Sequence, residues 1–302
     1  MYLMKINKML LFVAMNKKTA TLLLLLTALI WGCSFVAQDV SSDYLGPFTF
    51  NFVRFFIGSA VLLPFVLNSR KKRKITKKED ITAIKAGLSC GVALAIASVL
   101  QQIGVGSSGA GKGGFITSLY NIFVPFILVL MGKKLTKRNF ICALGAIVGM
   151  YLLCINETFS LERGDIFLLL CAIGFALHII IIDYYKETDG LTLSCLQFFV
   201  SGVICLFGAL ISEKIDLNLI IKAIIPLLYA GVFSCGIAYT LQVIAQKYIH
   251  PAIATLVLSL ESVFSVLAAW VILGDTLSAK ELLGCFIVFI FVVYAQLPQK
   301  NT

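Results

Sequence analysis

The residues of this sequence that could do chemistry are ionisable side chains inside long apolar runs, namely Glu261, Arg54 and His178. A charge at bilayer depth costs at least ~2.5–3.5 kcal/mol, so an ionisable residue there usually has a function. Glu261 is the deepest, because ~13 Å of helix separates it from each end of its run. Either it is a protonated carboxyl that bonds a neighbouring helix, or it is a solute-binding or proton-coupling carboxyl.

Charged residues near the ends of the apolar runs have plainer interpretations. Arg54 lies a turn or two inside its run, so its side chain either extends to the membrane surface or faces a cavity. Lys112 lies near the end of another run, where we expect a solvated lysine. We expect the acids at the run ends to be solvated or to cap helices; they are Asp39, Asp43, Asp165 and Asp275.

Uncharged polar residues recur at helical spacing inside the apolar runs. In the first run, Trp31, Ser34 and Gln38 share one continuous helical face. A single hydroxyl can be an interhelical hydrogen bond and nothing more, but polar residues spread over most of the runs indicate a central polar cavity. The residues predicted to line it are Trp31, Ser34, Gln38, Arg54, Gln101, Tyr120, Asn121, His178, Gln197, Tyr239, Gln242, Glu261 and Ser265.

The sequence predicts no metal site and no cofactor. Its two histidines, His178 and His250, are too few and too far apart for a zinc site of the usual kind. Its nine cysteines lie in apolar runs without a Cys-x-x-Cys pair, which is typical of small packing residues. The stretch 109–114 superficially resembles a phosphate-binding loop, but no Ser or Thr follows its lysine, so we do not expect ATP hydrolysis.

Composition places all of these residues in a membrane. Of the 302 residues, 60% are hydrophobic and 13% are charged, whereas soluble domains are about 25% charged. The net charge of +10 does not indicate a nucleic-acid partner, because much of it lies in one short loop, residues 70–78, without an aromatic-basic binding module. Basic residues beside membrane spans are retained on the cytoplasmic side.

Ten apolar runs are long enough to cross a membrane. A helix needs about 20 apolar residues, at ~1.5 Å rise each, to cross ~30 Å of hydrocarbon, and runs of this length in lipid are helices. The sequence thus predicts an all-α integral membrane protein with ten transmembrane helices. They are Ala20–Val40, Gly46–Leu67, Ile81–Gly104, Gly111–Met131, Asn139–Ile155, Asp165–Tyr185, Leu191–Ile211, Leu219–Gln242, Ala252–Ile272 and Lys280–Leu297. Glycines four residues apart, at 87 and 91 and at 145 and 149, predict close helix contacts.

Basic residues also orient these spans. With a cytoplasmic N-terminus, 19 Lys and Arg fall inside and 5 fall outside, while Arg54 lies within a span. This bias predicts a multi-pass protein of the cell membrane with both termini in the cytoplasm. The first run is too long for a signal h-region, so we interpret it as an uncleaved span. Met15 is a second plausible start, which would make residues 1–14 dispensable.

The chain carries an internal repeat. The stretch from Leu100 to Leu135 matches the stretch from Leu241 onward at an offset of 141 positions, and each ends in a Gly-x-x-Leu-Thr/Ser turn after a one-residue slip. Identical pairs include Ser118 with Ser259, Leu119 with Leu260 and Phe123 with Phe264. Five spans per half is an odd number, so the two five-helix repeats are inverted. We predict a cytoplasmic segment 1–18, repeats 19–155 and 156–297, and a cytoplasmic tail 298–302.

Several motifs follow one another between about Lys17 and Leu297. They are Trp31-Gly32 with Ser34-Phe35, Phe52-x-Arg54-Phe55, Ala110-Gly111-Lys112 through Tyr120 with Pro125, Leu260-Glu261-Ser262-Val263-Phe264, and the Gly274-Asp275 turn. The ordered set resembles the drug/metabolite transporter superfamily, EamA branch, with departures at Ser262, where many relatives have proline, and at Asp275, where glutamate is commoner. The resemblance implies ten helices in an inverted repeat, alternating access, a central cavity and no fixed cofactor. It also implies amino acids, purines, other metabolites or drugs as solutes, often exported.

The leading hypothesis is therefore a secondary transporter of small organic solutes that is embedded in membrane lipid. A proton is the candidate coupling ion, and we expect no enzyme activity. One alternative is a membrane-embedded lipid-modifying enzyme, which would require clustered Asp, His or Ser/His groups at the membrane surface. Another is a non-catalytic membrane subunit or channel. The sequence carries no signal for an oligomeric state.

Overall fold

The structure is a computed structural model that describes residues 16–72, 76–133, 136–154, 163–274 and 278–296. Most of the predicted N-terminal segment, the boundary between the repeats at 155/156, the turn residue Asp275 and the tail 298–302 lie outside these ranges. Within them the regular structure is helical, as the sequence predicts.

The described α-helices follow one another with short connections. In chain order they are α1 Lys17–Ser42, α2 Pro47–Lys72, α3 Lys77–Thr117, α4 Tyr120–Leu130, α5 Lys137–Cys154, α6 Arg163–Tyr184, α7 Gly190–Ser212, α8 Leu217–Lys222, α9 Ile224–Leu228, α10 Thr240–Ala245, α11 Pro251–Leu258, α12 Leu260–Leu273 and α13 Ala279–Gln296. A π-helix, Tyr229–Tyr239, joins α9 to α10.

Seven of the described helical segments are long and apolar enough to cross a membrane. Tyr120–Leu130 and Leu282–Tyr294 are shorter apolar helices beside them. Large apolar side chains cover the outside of the bundle, as lipid contact requires; Phe126 is 60% exposed and Ile211 86%. Polar side chains such as Arg54, Gln197 and Glu261 are buried instead. The protein is therefore a multi-pass membrane protein with polar side chains in its interior.

Helix α3 folds back on itself at Gly109, so it contains the predicted span Ile81–Gly104 and the start of the next one, Gly111–Met131. Its φ angle at Gly109 is +78°, a left-handed conformation that favours glycine. Across this turn, Gln101 Nε2 lies 3.4 Å from Thr117 Oγ1, although 16 residues of straight helix would separate them by ~24 Å. The segments of α3 before and after Gly109 therefore run antiparallel, joined at one glycine rather than by a loop.

Two helices break at positions that the repeat relates. Ser118 separates α3 from α4, and Ser259, 141 positions later, separates α11 from α12. Each serine hydroxyl donates a 2.8 Å hydrogen bond back to a carbonyl of the helix that it ends, at Gly114 and at Leu256 respectively. Both serines keep right-handed helical φ and ψ angles, so each break is a local distortion, and Pro251–Ile272 still counts as one candidate span, close to the predicted Ala252–Ile272.

The ends of the broken helices match as well. Gly132 follows α4 and Gly274 follows α12, and their φ angles of +77° and +79° are the left-handed conformation of a helix C-terminus. The two glycines occupy equivalent places after the one-residue slip. Break and turn thus recur together in both halves of the chain.

Small residues bring the helices into close contact where the sequence predicts it. A Cβ at Gly87 would lie 2.5 Å from Leu196 Cβ, and one at Gly91 would lie 2.7 Å from Val200 Cβ. These positions let the backbones of α3 and α7 approach each other. The second glycine pair packs α5 against α13 in the same way.

Candidate functional site

A small cavity lies inside the bundle, between helices from both halves of the chain. Its volume is about 30 Å³, which leaves room for a few water molecules. The lining residues are buried apart from Trp31, which is partly buried. They are Trp31, Ser34, Phe35, Gln38, Arg54, Gln101, Thr117, Tyr120, Phe175, His178, Ile179, Ser234, Tyr239, Gln242 and Glu261.

Most of the residues predicted to line a polar cavity lie at this one. They are Trp31, Ser34, Gln38, Arg54, Gln101, Tyr120, His178, Tyr239, Gln242 and Glu261, and their role in binding stays a prediction. Gln197 lies one side chain behind the wall, since its Oε1 is 3.0 Å from His178 Nε2. Asn121 accepts a 3.4 Å hydrogen bond from Thr255, and Ser265 donates to the backbone of its own helix. Gln197 and Asn121 therefore belong to contacts between helices, and Ser265 belongs to a hydrogen bond within α12.

Several wall residues were absent from the predicted set: Phe35, Thr117, Phe175, Ile179 and Ser234. Three of them are apolar, so a search for polar side chains in spans does not find them. Ser234 lies on the π-helix, whose i→i+5 turns place side chains outside the 3.6-residue period. Thr117 is the last residue before the break at Ser118, a break that the sequence did not predict.

Arg54 is buried at the cavity wall, with 1% of its surface exposed. Its Nε donates a 2.9 Å hydrogen bond to Asn51 Oδ1. Its guanidinium carbon lies 5.2 and 5.0 Å from the ring centroids of Phe50 and Phe55, within the range of cation–π attraction. The alternative that Arg54 extends to the membrane surface is wrong, because these three side chains hold it in the interior.

Glu261 enters the cavity from the first turn of α12, directly after the break at Ser259. It is 3% exposed, and its Oε1 accepts a 3.3 Å hydrogen bond from the hydroxyl of Ser118. Because Ser118 marks the other break, the interrupted helices of the two halves meet at this carboxyl. Transporters built from inverted repeats place their binding sites at the interface of the repeats.

An aromatic cluster forms one side of the cavity around Tyr239. The ring centroid of Tyr239 lies 4.5 Å from that of Trp31, 6.0 Å from that of His178 and 5.8 Å from that of Phe198. The His178 and Phe198 rings meet Tyr239 edge to face, an arrangement that aromatic pairs favour. This side of the cavity offers an aromatic contact surface.

The rest of the wall carries polar atoms without a hydrogen-bond partner among the described residues. They are Trp31 Nε1, Ser34 Oγ, Gln38 Oε1, Arg54 Nη2, His178 Nδ1 and Gln242 Oε1. An unpaired buried polar group costs about 1–3 kcal/mol. The wall is therefore suited to hydrogen-bond a polar molecule, with Trp31 Nε1 and Arg54 Nη2 able to act only as donors.

Charged groups join the two halves at one end of the bundle. Lys112 Nζ lies 2.7 Å from Asp165 Oδ2, and Ser108 donates a 2.8 Å hydrogen bond to the same carboxylate. Lys112 is therefore ion-paired rather than free in solvent, and Asp165, in the first turn of α6, is buried rather than solvated. At the same end, Glu213 accepts 2.8 Å hydrogen bonds from the backbone N–H groups of Phe48 and Thr49 at the start of α2.

Among the described residues, no group of three or more His, Cys, Asp and Glu side chains could hold a metal ion. The eight described cysteines are free thiols. The arrangement at the cavity is thus one of hydrogen-bonding, charged and aromatic groups, which suits reversible binding of a small organic molecule.

A helical membrane bundle with a buried polar cavity between its two halves is typical of membrane transporters. The profile of the EamA-like transporter family matches residues 18–155 and again residues 162–295. The chain belongs to this family, as the resemblance of its motifs indicates.

Two relatives carry transporter names without a stated solute. An uncharacterized transporter of Archaeoglobus fulgidus is 32% identical over 283 residues, which cover 92% of this chain and 86% of the relative. The uncharacterized transporter YoaV of Bacillus subtilis is 24% identical over 269 residues, covering 86% of this chain and 90% of the relative.

The fold also matches a solved structure, described simply as the crystal structure of a protein. It superposes with a TM-score of 0.73 at 16% identity and covers 92% of this chain and 96% of that one. At this identity the likeness concerns the fold alone.

Proposed function

We propose that this protein is a secondary transporter that moves small organic metabolites across the cell membrane by alternating access through the central cavity. The spans form two inverted five-helix repeats, about 19–155 and 156–297, making ten in all with both termini in the cytoplasm. The family match to each half and the reversal of α3 at Gly109 support this arrangement.

One observation carries the proposal: the two helix breaks meet at a buried polar cavity lined by both halves. Ser118 and Glu261, 143 residues apart, share a hydrogen bond there. In inverted-repeat transporters the solute site lies at the interface of the repeats, near the middle of the membrane.

The size of the cavity supports alternating access. A site for a drug-sized molecule measures ~300–1,000 Å³, whereas this cavity measures about 30 Å³. Loading a metabolite therefore requires the helices around it to move apart. The ion pair between Lys112 and Asp165 and the contact of Glu213 with α2 hold the halves together at what the predicted topology makes the outer end. We assign this conformation to a state closed on the outside.

Transport by purified protein in liposomes tests the proposal. Liposomes are loaded with a labelled metabolite panel of amino acids, purines and organic acids, and flux is followed under an imposed pH gradient and without one. Saturable flux above that of protein-free liposomes is expected for at least one solute. Modification of added lipid without flux would support the membrane-enzyme alternative, and absence of both activities would support a non-catalytic subunit.

A further inference from the structure

Arg54 is a buried cation that no described acidic residue pairs with. It is 1% exposed and lines the cavity, whereas the ion pairs found elsewhere join Arg70 to Asp80 and Lys112 to Asp165. A guanidinium removed from water is costly unless an anion and further hydrogen bonds compensate it. Its Nη2 has no hydrogen-bond partner among the described residues.

The protein fixes the direction in which Arg54 presents its free edge. Asn51 donates through Nδ2 to the carbonyls of Pro47, at 2.7 Å, and Ser98, at 3.2 Å. Its Oδ1 is therefore turned to Arg54 Nε, while the rings of Phe50 and Phe55 lie within 5.2 Å of the guanidinium carbon. A guanidinium held this way is preorganised to bind a planar anion through Nη2.

We propose that Arg54 binds the carboxylate of the transported solute, and that the apolar body of the solute lies against Trp31 and Tyr239. The proposal rests on the transport function proposed above and names its solute class. A guanidinium and a carboxylate form short charge-assisted hydrogen bonds, bidentate where geometry permits. Trp31 and Tyr239, with ring centroids 4.5 Å apart, provide an apolar surface in the same wall.

Glu261, the acid in this wall, distinguishes two kinds of carboxylate solute: those with an ammonium group and those without one. When both side chains are ionised, the positive charge of Arg54 and the negative charge of Glu261 cancel, so the wall carries no net charge from this pair. An amino acid keeps it neutral, because its ammonium group can pair with Glu261 while its carboxylate binds Arg54. A carboxylate without an ammonium group adds one negative charge unless Glu261 is protonated. Both kinds share the contact with Arg54 and differ only at Glu261.

A ligand series with a shared side chain tests the assignment. Leucine carries both the carboxylate and the ammonium group. 4-Methylpentanoate carries the carboxylate alone and isopentylamine the ammonium group alone. Leucinamide has an amide in place of the carboxylate. The corresponding series built on phenylalanine tests a larger body. Melting temperature is measured against concentration for the purified wild type, Arg54→Gln and Arg54→Lys. Arg70→Gln, which removes an arginine far from the cavity, is the matched control.

We expect carboxylates to raise the melting temperature of the wild type and of Arg70→Gln in a saturable manner. Arg54→Gln should weaken carboxylate binding roughly 10- to 100-fold, the range of a charge-assisted hydrogen bond. Arg54→Lys keeps the positive charge but lacks the planar guanidinium, so it should lose less affinity for carboxylates than Arg54→Gln. It serves as the test if Arg54→Gln does not fold. Glu261→Gln should weaken the binding of leucine selectively if the solute is an amino acid. If the solute is a carboxylate without an ammonium group, the variant should keep or strengthen the binding of 4-methylpentanoate, because no negative charge at position 261 opposes the carboxylate.

Equal stabilisation by the amine or amide, unchanged carboxylate binding in Arg54→Gln, or no stabilisation by any carboxylate would overturn the assignment. Liposome flux separates this failure from failure of the proposed function. Flux of a neutral or cationic solute that Arg54→Gln retains would overturn the role of Arg54 and leave the transporter intact. Saturable carboxylate binding that needs Arg54, without flux of any solute, would overturn transport and leave the binding site intact.

Discussion

The hydroxyl of Ser118 donates a 3.3 Å hydrogen bond to Glu261 across 143 residues of sequence. The repeat places Ser259 at the position of Ser118 and Glu261 at the position of Tyr120. The duplicated break is thus retained while the residue two positions after it differs. The position of the break is common to both halves, but the side chain two positions after it is not. A cavity between the halves therefore presents a carboxyl on one side only.

The proposed topology predicts that reporter fusions after Lys78 and after Lys300 both report a cytoplasmic location. The strong excess of basic residues in the first half and the even number of predicted spans give this result. An alkaline phosphatase fusion should be inactive and a fluorescent protein fusion active at both sites. An external signal at Lys300 would mean an odd number of spans and would contradict the inverted repeat.

Water access to the cavity predicts that cysteines at positions 34 and 38 react with a polar thiol reagent. Ser34 and Gln38 are 1% and 3% exposed in the closed conformation, so labelling requires the helices to open. Single cysteines are placed in a cysteine-free background, and labelling is measured with and without solute. Leu22→Cys, on the lipid-facing surface at 65% exposure, is the control that should stay unlabelled. Inert cysteines in a folded, active protein would place this face in a helix contact.

The contact of Glu213 with α2 predicts that Glu213→Ala destabilises the closed state. The change removes the acceptor of two 2.8 Å hydrogen bonds from helix N-terminal N–H groups, a loss of about 0.5–2 kcal/mol. The melting temperature should fall and the reactivity of a cysteine at position 38 should rise. Glu213→Gln, which keeps one acceptor, should show a smaller effect, and Ser212→Ala should show none. A fall in melting temperature without added reactivity would restrict Glu213 to stability.

Close packing at Gly32 predicts that Gly32→Ala is destabilising. A Cβ there would lie 2.4 Å from Phe264 Cβ and 2.8 Å from Phe264 C, so α1 and α12 would have to separate. Overpacking of this kind costs about 1–3 kcal/mol. The melting temperature and the folded yield are the measurements. Gly111→Ala, whose Cβ would lie 3.8 Å from the nearest atom, Val266 Cγ2, is the matched control and should keep both. Equal stability of the two variants would show that α12 moves aside at little cost.

The sequence predicted the outline of this molecule better than its interior. Length and hydropathy located the helical runs, since lipid forces the backbone of any long apolar segment into a helix. They did not reveal the single-glycine reversal at Gly109, the breaks at Ser118 and Ser259, or the π-helix. Each of these changes the backbone over one or two turns without changing the average hydropathy.

The residues of the cavity were likewise predicted only in part. Polar residues in apolar runs identified side chains such as Gln38 and Glu261, because burying them in lipid would be costly. The same rule could not select Phe175, which is apolar, or exclude Gln197, which bonds His178 behind the wall. Nor could it show that Arg54 points inward, since an arginine near a helix end can equally extend to the surface. These outcomes depend on tertiary packing.

The position of Glu261 predicts that Glu261→Gln abolishes or uncouples transport while leaving the folded yield unchanged. Glutamine keeps the shape of the side chain and can still accept the hydrogen bond from Ser118, so the packing at the helix breaks should persist. It cannot carry a charge or exchange a proton, and a lost charge-assisted contact weakens an interaction roughly tenfold or more. Liposome uptake is measured across a pH series for wild type and variant, together with melting temperatures.

Glu187→Gln, which removes an exposed acid outside the cavity, is the matched control and should transport as the wild type does. A variant at Glu261 that binds solute and exchanges it across the membrane, yet no longer responds to a pH gradient, would assign the carboxyl to proton coupling. Loss of both exchange and accumulation would assign it to solute binding. Wild-type rates and pH dependence would remove Glu261 from the mechanism. A large fall in melting temperature with specific activity retained would make it a structural carboxyl at the junction of the two broken helices.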